Sequence, residues 1–558
     1  MKKIITLSML LTASSFSFAQ TNDGYEKGWH LLDKSTNGVY GISLEKAYTD
    51  IISKMKPKKK ILVAVIDSGI DTLHEDLKSI IWVNKKEISG NGIDDDHNGY
   101  VDDIHGWNFI GGKDGSNVSK DSYEAARVFY KYKNKFGTGT VDENALNSDE
   151  KSAFKYYTIA KGILESQAKE ASMYVNFLKN IVPKLAVVDS TLQAGLGKKT
   201  YTGDDLQAFK PGTNDQTRAR GVLLGLFQQT RQMDMTNTQM IKELTDFYEG
   251  EQRKLEVVNT PPPNYRDVVV KDNYDDPNDR FYGNNDVMGT DADHGTHVSG
   301  IIAAIRNNGL GINGVADNVE IMPIRTVPDG DEHDKDVANA IRYAVDNGAW
   351  VVNMSFGKSF SPEKKWVDEA VKYAESKGVL LIHAAGNDSK NIDVQDNFPS
   401  MNYNYDTTHI ASNWLNVGAN GANEKDLTAS FSNYGKREVG VFAPGVKIYS
   451  TIPGGNTYGT HDGTSMAAPI VTGLASLLLS YYPDLTAIQV KDIIKQSSVK
   501  ITDFKVLIPG TENERVDLSS ISQTGGVVNA YNAFLLASKI KGLRRSAVKY
   551  TPPVKVKK

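Results

Sequence analysis

Four short apolar runs set the frame of the chain: residues 61–66, 319–324, 350–354 and 379–384. Each has the length of a strand, and nearly unbroken apolar character marks strands covered on both faces, as in a parallel sheet. Between them the period changes. Residues 334–347 read as a helix, and 44–55 place Leu44, Ala47, Ile51 and Ile52 on one helical face. Residues 465–479 are apolar on every side, which predicts a buried central helix. Strands alternating with helices indicate an α/β fold with a mainly parallel central sheet.

A different texture fills residues 111–263. Segments 123–135, 149–185 and 217–257 are rich in helix formers, with Gly and Pro clustered between them. Leu223, Leu224, Leu226 and Phe227 suggest an apolar face, and Pro261-Pro262-Pro263 stiffens the return. The stretch reads as a helical hairpin or small bundle. Gating a cleft, docking a partner and plain surface decoration are all open to it.

Composition narrows the setting. The 558 residues carry a formal net charge of −4 and no cysteine. Neither nucleic acid nor an acidic surface is implied as a partner, and disulfide and thiol chemistry are excluded. Lys2 and Lys3, the apolar run 4–13 and Ser17-Phe18-Ala19 form a signal-peptide pattern over 1–19. That run is too short to span a bilayer comfortably, so stable membrane insertion is not expected. Export through the inner membrane is, with a periplasmic, cell-surface or secreted destination. Residues 20–60 make a short leader, with a solvated basic run at 56–60, and 541–558 a loose basic tail.

Candidate chemistry is distributed over four stretches. In Gly463-Thr464-Ser465-Met466-Ala467-Ala468-Pro469, Ser465 falls at a helix start, where backbone N–H groups and the helix dipole favour negative charge. A hydroxyl nucleophile there needs a base. His294, in Asp293-His294-Gly295-Thr296-His297, also opens an apolar helical run. Asp67 ends the 61–66 strand, the edge at which open α/β sheets place their sites. Ala384-Ala385-Gly386-Asn387 follows another strand; its amide suits an oxyanion donor, and an ordinary turn is the alternative.

Together these stretches, in the order Asp, His, Asn, Ser, resemble the motif set of the subtilisin-like serine proteases, the subtilase family. Family-like segments run over 44–109 and 274–537, which leaves 111–263 as a large insertion between Asp and His. The resemblance implies a three-layer catalytic domain over 61–110 and 264–540. It implies a catalytic triad of Asp67, His294 and Ser465, and Asn387 as the oxyanion residue. Ser355, Phe356 and Gly357 become substrate-binding, His297 structural, and Asn397-Phe398-Pro399 aligns with the wall of the specificity pocket. Polypeptides are the implied substrates, hydrolysed by a serine endopeptidase that is monomeric by default. The rival is an exported scaffold on a retired protease fold. A lipase-type Gly-x-Ser-x-Gly elbow is absent.

One acidic stretch suggests calcium. Asp94, Asp96 and Asn98 alternate as in the first half of an EF-hand loop, Gly99 follows, and Tyr100 offers a carbonyl. His105 replaces the closing Glu, so Asp102 and Asp103 are the candidates to complete the shell. A solvated acidic turn is the alternative, and acidic residues 272–286 read as a solvated loop.

Overall fold

A computed structural model describes residues 25–137, 139–230, 232–403 and 406–544. The signal segment expected at 1–19 and the tail from 545 onward lie outside the described residues. The chain divides into two compact units, one of residues 120–264 with 329–331, the other of the remaining described residues.

The larger unit is built on a nine-stranded sheet. Its order runs Val499–Lys500, Gly526–Val527, Val439–Pro444, Trp414–Asn420, Leu380–Ala384, Val351–Met354, Ile61–Asp67, Val319–Arg325, Trp107–Asn108. All neighbours are parallel except the first pair. The four apolar runs of the sequence are central strands here, displaced by at most one residue.

Strand periodicity of two creates the layers. Val63 and Val65 face one core with Ile321, Val351, Leu380 and Ile382, covered by helices Asp293–Ala303, Thr464–Tyr481 and Ala487–Ser497. Ala64 and Ile66 face the opposite core with Met322, Ile324, Val352 and Met354, covered by Asp334–Asp346 and Lys364–Lys377. The result is helix, sheet, helix, with both sheet faces dry. By length and composition alone helix Thr464–Tyr481 could cross a membrane, but it is buried in this interior.

The segment read as a leader belongs to this core. Trp29, Ile42, Leu44 and Ala47 are buried with the sheet. Ile42 carbonyl accepts Ala530 N–H at 2.7 Å, and Tyr40 N–H donates to Ala422 carbonyl at 2.8 Å. At the other end Arg544 Nε donates to Leu485 carbonyl at 3.0 Å, so the tail is tied at its start.

The acidic loop is less solvated than its composition suggested. Asp272 is buried between Arg266 and Lys335, each 2.7 Å away. The two buried cations need a carboxylate partner, which the sequence pattern did not reveal.

In the smaller unit, helices Leu185–Leu196, Asn214–Thr230 and Asn237–Glu256 surround Leu192, Leu223, Phe227, Met240 and Leu244, while Glu124–Phe136 packs on Ser148–Leu178 through Phe129 on Tyr157 and Phe136 on Phe154. Two expected helices are split. The first ends at Leu178 before the turn Val182–Lys184, which holds Pro183. The second restarts at Asn237 behind a capping box of Thr236 and Gln239. This unit begins at residue 120 rather than 111, because Ile110 and Val118 pack with Trp107 and Phe109 in the larger unit.

Candidate active site

The parallel register brings the candidate residues to one edge. Ile66 pairs with Met354, and Met354 with His383, so three neighbouring strands end level. Asp67, Ser355 and the Ala385-Gly386-Asn387 turn follow at their carboxyl ends. Helices Asp293–Ala303 and Thr464–Tyr481 begin at the same edge, each with its candidate residue second.

Asp67 is buried. Its Oδ1 accepts Ser68 N–H at 2.8 Å and lies 2.7 Å from His294 Nδ1. Oδ2 is buried without a hydrogen-bond partner. Gly295 permits this approach: a Cβ there would stand 2.2 Å from Gly69 carbonyl oxygen and 3.1 Å from Asp67 Cβ. With Nδ1–H bonded to the carboxylate, Nε2 of a neutral His294 is the basic nitrogen. Burial alone lowers the proton affinity of His294. The Asp67 charge and hydrogen bond, helped by Asp293 and Asp291, reverse this and hold its pKa above the ordinary value.

Ser465 Oγ donates to Ser355 carbonyl at 3.0 Å, and Ser355 Oγ donates to Ser465 carbonyl at 3.0 Å. This reciprocal pair replaces the serine–histidine hydrogen bond that a poised triad predicts. It ties the Ser465 helix start to the segment expected to bind substrate.

Asn387 has a fixed amide orientation. Its Oδ1 lies 2.9 Å from both Thr464 N and Thr464 Oγ1. A backbone N–H can only donate, so the amide oxygen faces Thr464 and Nδ2 is left as a donor beside Gly463. Gly386 sits at φ 99°, and a Cβ there would meet Asn433 Nδ2 at 2.3 Å. Thr464 was not singled out from the sequence, although it lies inside the serine motif.

The remaining positions fall around this edge. Phe356 carbonyl lies 2.9 Å from His383 Nε2, and burial lowers the His383 pKa to about 4. Gly357 is exposed, and Lys358 exchanges both backbone hydrogen bonds with Phe398, at 2.9 and 2.8 Å. The stretch 397–399, expected as a pocket wall, therefore stands beside residues 355–357, expected to bind substrate. His297 is buried, with Nε2 3.2 Å from Gly459 carbonyl.

The acidic stretch folds into one hydrogen-bonded network in which its carboxylates have different partners. Carboxylate oxygens of Asp94 and Asp96 lie within 4.8 Å of one another and of Glu87, a residue the sequence reading missed. Nothing in the local sequence pairs Glu87 with the loop; its Oε1 accepts Asp96 N–H at 3.0 Å. Asp102 and Asp103 adjoin this group, with Asp102 N–H donating to Glu87 Oε2 at 3.2 Å and Asn98 Nδ2 donating to Asp103 Oδ2 at 3.0 Å. Asp102 accepts Gly90, Asn91 and Gly92 N–H groups at 2.8, 3.3 and 2.8 Å. Asp103 is buried against Tyr343 hydroxyl at 2.5 Å, and burial raises its pKa to about 6. Asn98 Oδ1 accepts Tyr100 N–H at 2.8 Å, and the Tyr100 ring packs on Trp107 and Tyr343.

Comparison with known proteins places the chain among relatives. The family model described as the subtilase family matches residues 58–521. A thermophilic serine proteinase of Bacillus sp. (strain AK1) is 42% identical over 211 residues, covering 38% of this chain and 47% of the relative. Subtilisin E of Bacillus subtilis is 38% identical over 209 residues, 37% of this chain and 50% of the relative. A cell wall-associated protease of the same species is 37% identical over 239 residues, 42% of this chain and 24% of the relative. The chain thus spans half or less of these relatives. A solved cold-adapted subtilisin-like serine proteinase is 28% identical, with a TM-score of 0.34 over 44% of this chain and 76% of that one. By the match over most of its length, the chain belongs to the subtilase family.

Proposed function

We propose that the protein is an exported serine endopeptidase. The carrying observation is the 2.7 Å contact of buried Asp67 with His294, at the sheet edge that also bears Ser465 and Asn387. In the proposed reaction the Ser465 hydroxyl turns from Ser355 toward His294 Nε2. His294 takes its proton as Oγ attacks a peptide carbonyl, and Asp67 stabilises the imidazolium. Asn387 Nδ2 and Ser465 N–H donate to the tetrahedral oxyanion. The intermediate collapses as His294 protonates the leaving amine, and water hydrolyses the acyl-enzyme by the same proton path. Ser355, Phe356 and Gly357 would line the substrate.

Residues 120–264 are, in this reading, an insertion that leaves the triad intact because the triad assembles in space. Calcium would be a structural cofactor. The hard oxygen donors of Glu87, Asp94 and Asp96 suit it, and its charge would offset their mutual repulsion. The expected signal segment supports export.

The test is casein degradation by the mature chain beside Ser465→Ala. Activity in the parent alone supports the protease. Equal activity in both overturns it, and a properly matured but inert parent favours a retired scaffold.

A further inference from the structure

A second carboxylate–imidazole pair adjoins the first. Asp293 immediately precedes His294, and its Oδ2 lies 2.7 Å from His461 Nε2. His461 Nδ1 lies 2.9 Å from Thr460 carbonyl oxygen. Both ring nitrogens thus face acceptors, one a carboxylate, and an imidazole satisfies two acceptors only when both nitrogens carry hydrogen. The His461 ring packs on His297, with centroids 4.2 Å apart. The pair is only partly buried: the His461 side chain is 17% exposed and that of Asp293 38%.

The surrounding charges define what the pair can do. His294 faces Asp67, Asp293 and Asp291. His461 faces Asp293, His297 and Asp462, and Asp462 in turn accepts Lys447 N–H. His297 is buried, and the His461 and His294 charges add to burial in keeping it neutral. His461, when protonated, is therefore the cation that stands directly against Asp293.

We propose that His461 and Asp293 form a positioning pair that sets the charge environment of the general base His294. This rests on the protease reading. Asp293 and His294 occupy the first two positions of one helix, so the contact made by Asp293 also fixes that helix start. With His461 charged, the negative field of Asp293 at His294 is partly cancelled. The acid limb of the reaction then sits lower than three uncompensated carboxylates would place it. His461 reaches from strand Thr457–His461, which leads into the Ser465 motif, so the pair also links the base to the nucleophile loop.

His461→Gln removes the compensating charge and leaves Asp293. The acid limb of kcat/KM should rise by roughly half a pH unit or more. Adding Asp293→Asn should return it to the parental position or below. The same shifts should appear in the imidazole NMR titration of His294 in Ser465→Ala protein, which needs no turnover. Thermal melts of each variant verify folding, and His461→Lys, which keeps a cation opposite Asp293, should retain the parental limb. An unmoved titration in folded His461→Gln, or a rise that Asp293→Asn does not reverse, overturns the proposal. Failure of the protease reading would instead appear as activity that survives Ser465→Ala.

Discussion

Replacing Asp67 by Asn tests the electrostatic core of the site. The change is nearly isosteric, and Oδ1 can still accept Ser68 N–H, so the local turn should survive. What is lost is the negative charge beside His294. With charge centres ~4 Å apart and an effective dielectric constant near 20, an imidazolium–carboxylate pair is worth about 4 kcal/mol. That stabilisation is realised only when His294 holds the Ser465 proton. At ~1.4 kcal/mol per decade, kcat should fall about a thousandfold with KM little changed. The new amide places Nδ2 where Oδ2 is buried without a partner, costing about 1–3 kcal/mol of stability. The folded variant should therefore remain soluble but melt lower. His294 is held above its ordinary pKa chiefly by Asp67, against burial. Removing that charge must move the acid limb of kcat/KM to lower pH. The assay is a pH series of peptide hydrolysis on protein whose fold is verified by circular dichroism. Near-parental turnover, or an acid limb that stays or moves upward, would refute the reasoning.

Three further outcomes are expected. Asn387→Ala should lower kcat by a factor near a hundred or more, about 3 kcal/mol, with little effect on KM; steady-state kinetics on a peptide substrate decide it. If calcium binds at Glu87, Asp94 and Asp96, chelation should lower the melting temperature, and Asp96→Asn should blunt the response. A melting curve indifferent to chelator would remove calcium from the account. His30 is buried with both ring nitrogens unpartnered, and burial together with Arg306 depresses its pKa to about 3. A depressed base contributes stability above its unfolded pKa and loses it as pH falls from about 6.5 toward 3. The loss amounts to at most roughly 5 kcal/mol. His30→Leu should flatten that part of the acid unfolding curve, and an unchanged acid slope would count against it.

The central strands and the buried Ser465 helix were legible because their apolar runs have no alternative to full burial. Asp67, His294 and Ser465 were legible as motifs, and the parallel register explains why distant segments meet at one edge. What stayed hidden depended on contacts remote in sequence. The fate of Asp102 is set by three N–H groups of the 90–92 turn, and Glu87 joins Asp94 and Asp96 only through folding. Residues 25–55 read only as a short leader to the core, and Trp29, Ile42 and Leu44 prove to complete it. The Ser465–Ser355 exchange was equally unreadable, since it involves backbone carbonyls that no motif encodes.

The most direct measurement of the central claim is covalent labelling of the mature chain with an organophosphonate fluoride. Intact mass and peptide mapping would be read beside Ser465→Ala. The account predicts a single adduct on the peptide containing Ser465 in the parent and none in the variant. An adduct on another residue, or equal labelling of both chains, would contradict Ser465 as the nucleophile.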